Sequence, residues 1–160
     1  MLNEFRQDLV SGEWVLLATG RANRPFKRAD ESTSKRQPKS DCPFEDPEKS
    51  GNEVVATYFN QDQTDWIAKV AKNKYPAVLE GEAGPLKNIG PFSIYEAKGT
   101  HEIVIFRDHD RCLSRYEKEE FARIFKIYQE RYTVTLDHNS RKYILIFHNH
   151  GFRAGASIQH

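Results

Sequence analysis

The sequence predicts an α+β fold, a mostly antiparallel sheet with one long helix packed on it. Three observations carry that expectation. Short runs rich in β-branched and aromatic residues recur along the chain, separated by turns bearing Gly and Pro. One later segment places Phe121, Ile124, Phe125, Tyr128, Tyr132 and Leu136 at helical intervals. A hydrophobic content of 38%, with 12% aromatic residues, suffices for a single core in a chain of 160 residues.

Taken in order, Phe5 to Val10 and Trp14 to Ala18 flank Ser11-Gly12 and predict a hairpin. Residues 27–41 are Lys, Arg, Ser, Thr, Glu and Pro with almost nothing to bury, so a flexible surface loop is expected. Pro43 and Pro47 bracket a turn that carries Cys42, Glu45 and Asp46. Trp66 to Ala71 reads as a strand that stops before Tyr75-Pro76, where proline forces extended backbone on the residue preceding it. Phe92 to Glu96 and His101 to Phe106 alternate on either side of Lys98-Gly99 and predict a second hairpin. Ser114 and Glu117 have capping-box spacing at the head of the helix, whose apolar stripe from Phe121 to Leu136 is expected to be core. The apolar run Tyr143 to Phe147 has the length of a central strand and delivers a loop rich in Gly and Ala, Asn149 to Ser157. No internal repeat is visible.

Charge narrows the function classes. The 24 basic and 23 acidic side chains nearly cancel, so no whole-molecule field draws the chain to nucleic acid or to an anionic membrane, and phosphate recognition has to be local. The longest apolar runs fall far short of the roughly 20 residues of a membrane helix. Two cysteines, Cys42 and Cys112, make no disulfide framework, and no secretory leader is apparent, so a reducing, cytoplasmic setting is expected.

Several groups have the chemistry of a site. The loop Asn149 to Ser157 combines small residues, which let a backbone approach a ligand, with amides and a hydroxyl suited to phosphate; a plain glycine turn has the same composition. Cys42, His109 and His160, with Glu45 or Asp46 as an oxygen donor, make up a possible tetrahedral zinc set, although the spacing is not that of a zinc finger. Taken singly, His109 reads as a solvated histidine within Arg107 to Arg111, and Cys42 as a small buried hydrophobe. His101, His138, His148 and His150 are not read as ligands, His148 and His150 pointing the same way on a strand. Arg21 and Arg24 could offer forked hydrogen bonds to an anion or simply be solvated.

In order along the chain, "DLVSGEWVLLA" from Asp8, "GRANRP", "CPFED", "NKYPA", "GTHEIVIFRDH" and "NHGFRAGASIQH" resemble the galactose-1-phosphate uridylyltransferase family, a branch of the histidine-triad superfamily. The last phrase is the most specific, because in the family such a loop runs into a His-Pro-His triplet with a serine three residues before its first histidine, the places of Ser157 and His160. The resemblance implies a half-barrel sheet and identifies the chain with the N-terminal domain of a protein about twice as long, the sequence stopping at the start of the triplet. It implies zinc at Cys42, Glu45, His109 and His160, with Glu45 standing where the family has a second cysteine. For the nucleotide it implies Asn73, Ile103, Asn149, Gly155 and Ser157, and for the sugar-phosphate end Arg21 and Arg24.

The activity so implied is ping-pong exchange between UDP-glucose and galactose 1-phosphate through a uridylyl-histidine, in galactose metabolism. The nucleophile would be the second histidine of the triplet, two positions after His160, so the 160 residues by themselves are expected to bind a nucleotide without transferring it. The full-length parent is expected to be a homodimer. An adenylyl-transferring phosphorylase of the same superfamily, acting on ADP-glucose or a dinucleoside polyphosphate, and a noncatalytic nucleotide- or zinc-binding module are the alternatives.

Overall fold

The computed structural model describes residues 3–23, 38–137, 143–150, 154, 158 and 160. Its contacts divide the chain into two compact units, Met1–Phe26 with Asp46–Arg107, and Lys27–Glu45 with Asp108–His160.

The first unit holds the strands β1 (Glu4–Gln7), β2 (Trp14–Leu17), β3 (Val54–Phe59), β4 (Trp66–Lys72), β5 (Lys87–Ile89), β6 (Phe92–Glu96) and β7 (Glu102–Phe106). They form two antiparallel sheets, one ordered β2-β1-β6-β5 and the other β3-β4-β7. The expected α+β class is therefore present, as two sheets with no closed barrel among the described residues.

The first hairpin forms as expected, with Phe5 opposite Leu16 and Gln7 opposite Trp14. Its turn is built on Asp8, whose Oδ1 accepts from the Val10 and Ser11 amides at 2.9 and 2.8 Å and from the Ser11 hydroxyl at 3.1 Å. Gly12 closes the turn at φ 73°, where a side chain would be strained. The Ser11 and Val10 amides, followed by the Ser11 hydroxyl, hold the Asp8 carboxyl below its ordinary value. A carboxyl whose folded pKa is depressed stabilises the fold above its unfolded value, and that contribution disappears as pH falls through the lower, folded value. A carbon-13 titration should therefore find Asp8 ionised at a pH where an Asp8-containing peptide is already half protonated; coincident midpoints would contradict it.

In the second sheet β4 is central and carries the buried residues Ala68, Val70 and Ala71, while Ile105 of β7 is buried opposite Lys69. Lys69 lays its stem beside the Trp66 ring, with Nζ 5.1 Å from the ring centroid, and reaches Glu48 at 2.7 Å. β3 adds an element that was not expected.

The second expected hairpin does not form. β6 and β7 lie in different sheets, because the link between them pairs with Leu79 instead of with itself: Leu79 N donates to Ala97 O at 2.9 Å and Gly99 N to Leu79 O at 2.8 Å. Gly99 has φ 157°, and a Cβ there would sit 3.2 Å from Val78 Cγ2, so the crossing needs a glycine.

The second unit holds α1 (Lys118–Leu136). The helix begins after Glu117, which forms a capping box with Glu120, while Ser114 sits in a preceding 3-10 turn, Leu113–Arg115, with its Oγ 3.1 Å from Cys112 Sγ. Glu117, not Ser114, is thus the cap. Arg111 grips Glu120 with two N–H groups at 3.0 and 2.9 Å and stacks over Tyr116. Glu117→Ala should cost about 1 kcal/mol of unfolding free energy, the usual value of a capping side chain; urea denaturation that left stability unchanged would remove the cap from the account of the helix start.

The expected core stripe is corrected as well. Ile124 and Ile127, three residues apart, are the buried side chains of α1, whereas Phe121, Phe125, Tyr132 and Leu136 are exposed. Helical spacing defines a face but not which edge of it is covered; here Phe121 and Phe125 cover each other, their ring centroids 4.9 Å apart. Tyr143 to Phe147 is not a strand: it has no ladder partner among the described residues, and Tyr143, Leu145, Ile146 and Phe147 are exposed. An apolar run becomes a strand only when a neighbour takes its N–H and C=O groups. Most of the expected loop 27–41 lies outside the described residues; its end, Lys39–Asp41, is a 3-10 turn. No helix among the described residues is long and apolar enough to cross a membrane.

Candidate metal centre and nucleotide loop

In the second unit three segments converge. Cys42 follows the Lys39–Asp41 turn, its amide donating to Lys39 O at 3.1 Å, and the Glu45 amide returns to Cys42 O at 3.2 Å, so the two side chains leave one tight bend. The bracketing prolines had marked that bend. His109 is placed by Asp108, whose Oδ1 accepts from the amides of Asp110 and Arg111 at 3.0 and 3.1 Å and curls the backbone around the histidine.

The donor atoms lie close together. His160 Nδ1 is 3.3 Å from Cys42 Sγ and 3.2 Å from His109 Nδ1, and His109 Nδ1 is 3.2 Å from Glu45 Oε1. His109 is buried, at 4% exposure, and so is not the solvated side chain it reads as singly; Cys42 is buried, at 6%, as that reading expected, with its Sγ against His160. The two imidazole rings stand perpendicular, and Phe44 packs its edge on His160.

Burial pushes the Cys42 thiol up, which disfavours a thiolate unless a cation is near. Cys42, His109 and His160 could bind a metal ion. The spacing suits a small tetrahedral cation: ligand bonds of about 2.0–2.3 Å put neighbouring N, O and S ligands about 3.3–3.6 Å apart. The observed separations are within a few tenths of an ångström of that range.

In the first unit, residues 73–77 form a loop between β4 and the crossing at Leu79. Its backbone is held by side chains. The Tyr75 amide donates to Asn73 Oδ1 at 2.9 Å and the Ala77 amide to His101 Nδ1 at 3.0 Å. Tyr75 O accepts from Arg21 Nη1 at 2.6 Å, and Pro76 O and Ala77 O accept from Asn3 Nδ2 at 3.0 and 3.1 Å. Asn3, only 3% exposed, also receives the Gly20 amide on Oδ1 at 3.2 Å. His101 O accepts from the Asn73 amide at 2.8 Å, and His101 Nε2 faces the Asn73 carboxamide at 3.1 Å.

Of the nucleotide residues expected from sequence, Asn73 and Arg21 meet at this loop. Ile103 lies in β7, half-buried and paired with Ala71. Asn149 is exposed between His148 and His150, whose rings stack 6.4 Å apart; those two histidines are not on a strand, where they were expected. Arg24, Gly155 and Ser157 lie outside the described residues. Asn3 and His101 were not expected in the site; the signal for both is a side chain of fixed donor and acceptor geometry whose partners are backbone groups distant in sequence.

The whole chain, residues 1–160, matches the profile of the N-terminal domain of galactose-1-phosphate uridyl transferase. The chain belongs to that family. The chain is 31% identical over 169 residues to ADP-glucose phosphorylase of Arabidopsis thaliana, a match covering 98% of the chain and 46% of the relative. It is 27% identical over 160 residues to galactose-1-phosphate uridylyltransferase of Thermotoga maritima, covering 98% and 44%. With the uridylyltransferase of Haemophilus influenzae the identity is 29% over 165 residues, covering 97% and 44%. The chain therefore spans about half the length of the curated relatives it matches. No solved structure matches it significantly.

Proposed function

We propose that this domain belongs to a UDP-glucose:hexose-1-phosphate uridylyltransferase and binds its nucleotide through Asn73, Ile103, Asn149, Gly155 and Ser157, with Arg21 and Arg24 toward the sugar phosphate. The observation that carries this reading is the family match over the full 160 residues. The braced loop at Asn73 supports it, because a ligand contact has to be held rigid to discriminate among ligands. In the transfer, a histidine nitrogen two positions after His160 attacks the α-phosphorus, forming an N–P bond and releasing glucose 1-phosphate. A phosphate oxygen of the second hexose 1-phosphate then displaces the histidine and takes the uridylyl group.

Cys42, Glu45, His109 and His160 hold zinc in this scheme. Zinc there supplies charge for a buried thiolate and carboxylate and ties their segments together. The ring of His160, committed to that cluster through Nδ1, serves as a ligand and not as the nucleophile. A thiolate ligand is consistent with a reducing, cytoplasmic setting.

ADP-glucose phosphorolysis is the second reading, favoured by the 31% identity to the Arabidopsis protein. Calorimetric titration of the chain with UDP-glucose and ADP-glucose separates the two. At least about tenfold tighter binding of UDP-glucose, about 1.4 kcal/mol, is expected; the reverse preference would replace the uridylyl reading by the adenylyl one.

A further inference from the structure

The loop of residues 73–77 is joined to His101 at three points: Asn73 N to His101 O, Asn73 carboxamide to Nε2, and Ala77 N to Nδ1. The last fixes the chemistry of the ring. A backbone N–H can only donate, so Nδ1 must be a bare acceptor, and the imidazole is neutral with its proton on Nε2. That proton faces the Asn73 side chain at 3.1 Å. Asn73 Oδ1 holds the Tyr75 amide at 2.9 Å and Nδ2 is the atom 3.1 Å from Nε2, so with the proton on Nε2 two donors meet there unless the carboxamide turns its oxygen to the ring. The orientation of this carboxamide, and hence whether it offers a donor or an acceptor to a ligand, is decided by the ring beside it.

We propose that His101 is a positioning residue: as the neutral Nε2–H tautomer it fixes the Asn73–Ala77 loop and sets the orientation of the Asn73 carboxamide toward the nucleotide. The inference rests on the reading of Asn73 as a nucleotide contact given above. His101 does not touch the ligand in this account; it acts through Asn73. Asn3 and Arg21 hold the carbonyls of the same loop, so losing His101 releases its amides and leaves the carbonyl side in place.

The test uses the zinc-loaded 160-residue chain and UDP-glucose. His101→Asn keeps an acceptor near the Nδ1 position, and His101→Gln carries its amide nearer the Nε2 position. His101→Ala should weaken UDP-glucose binding roughly tenfold, the size expected when a buried donor loses its acceptor, and should speed exchange of the Ala77 amide by a similar factor. His101→Asn should restore Ala77 protection and most of the affinity, and His101→Gln should not restore the protection. Nitrogen-15 spectra of the unmutated chain should show Nδ1 unprotonated and Nε2 protonated. Unchanged affinity in His101→Ala with a deprotected Ala77 amide overturns the proposal, as does a protonated Nδ1. If the unmutated chain binds no UDP-glucose while the tautomer and exchange results stand, the nucleotide reading of Asn73 fails and the brace remains. Should His101→Ala not fold, His101→Asn and the tautomer still decide.

Discussion

Replacing Cys42 or His109 by alanine should strip the second unit of bound zinc. Even partners outside the ligand shell are worth about 10–100-fold in metal affinity, so loss of a ligand should weaken binding at least about 100-fold. The geometry is already collected before any ion enters, with His160 Nδ1 within 3.3 Å of both Cys42 Sγ and His109 Nδ1. Competition against a chromophoric chelator gives the affinity, and thermal unfolding with and without chelator gives the linked stability, about 2.7 kcal/mol when free zinc is 100 times its Kd. Glu45→Cys is expected to tighten zinc, because a thiolate is a softer donor than a carboxylate. A fully folded chain that takes up no zinc, or a Cys42→Ala chain that binds as tightly as the parent, removes zinc from the proposed site.

The largest effect on folding alone should come from Ile105→Ala. Ile105 is among the largest fully buried side chains, 2% exposed in β7, where its strand pairs with the centre of the second sheet. Truncating a buried isoleucine to alanine costs about 2–5 kcal/mol through lost burial and the cavity left behind. For a chain of this size that lowers the melting temperature on the order of 10 °C. Ile105→Val, which removes one methylene, should cost about 0.5–1.5 kcal/mol. A loss below about 1 kcal/mol for the alanine variant, read from urea melts, would show that the sheet closes over the gap.

What could be read from the sequence divides by range. The first hairpin, strand β4 and helix α1 are specified by local patterns, and their positions emerged within a few residues. β3 was readable too, since Val54 to Phe59 is a β-branched and aromatic run that follows the turn residues Ser50-Gly51-Asn52, with Gly51 at φ 72°. The sheet change between β6 and β7 was not legible, because Leu79, eighteen or more positions earlier in the chain, takes the hydrogen bonds a hairpin would have made. Likewise the apolar run Tyr143 to Phe147 looked like a strand, since composition cannot report whether a neighbour is there to pair with it.

The site divides in the same way. The bend carrying Cys42 and Glu45 follows from its prolines. That His109 and His160 come to it, from 64 positions beyond Glu45 and 118 beyond Cys42, is not encoded in any spacing; donor chemistry grouped these residues, and the family resemblance gave them their places. His101 was counted among the imidazoles and set aside, because its partners are main-chain groups 24 positions earlier, which a search for ligands does not see.

The hydrogen bonds of the Asn73–Ala77 loop also order events in time. Its backbone is tied by Asn3, Arg21 and His101, at sequence separations of 73 or 74, 54 and 24. Closing contacts of such separation is slow compared with forming a turn or a helix, so the loop should gain its shape only after both sheets have brought their strands together. In a pulsed amide-exchange experiment during refolding, the Ala77 amide should become protected after those of β4. Nucleotide affinity would then mark the last step of folding of the first unit, and a partly folded chain would expose no half-made site to compete for ligand.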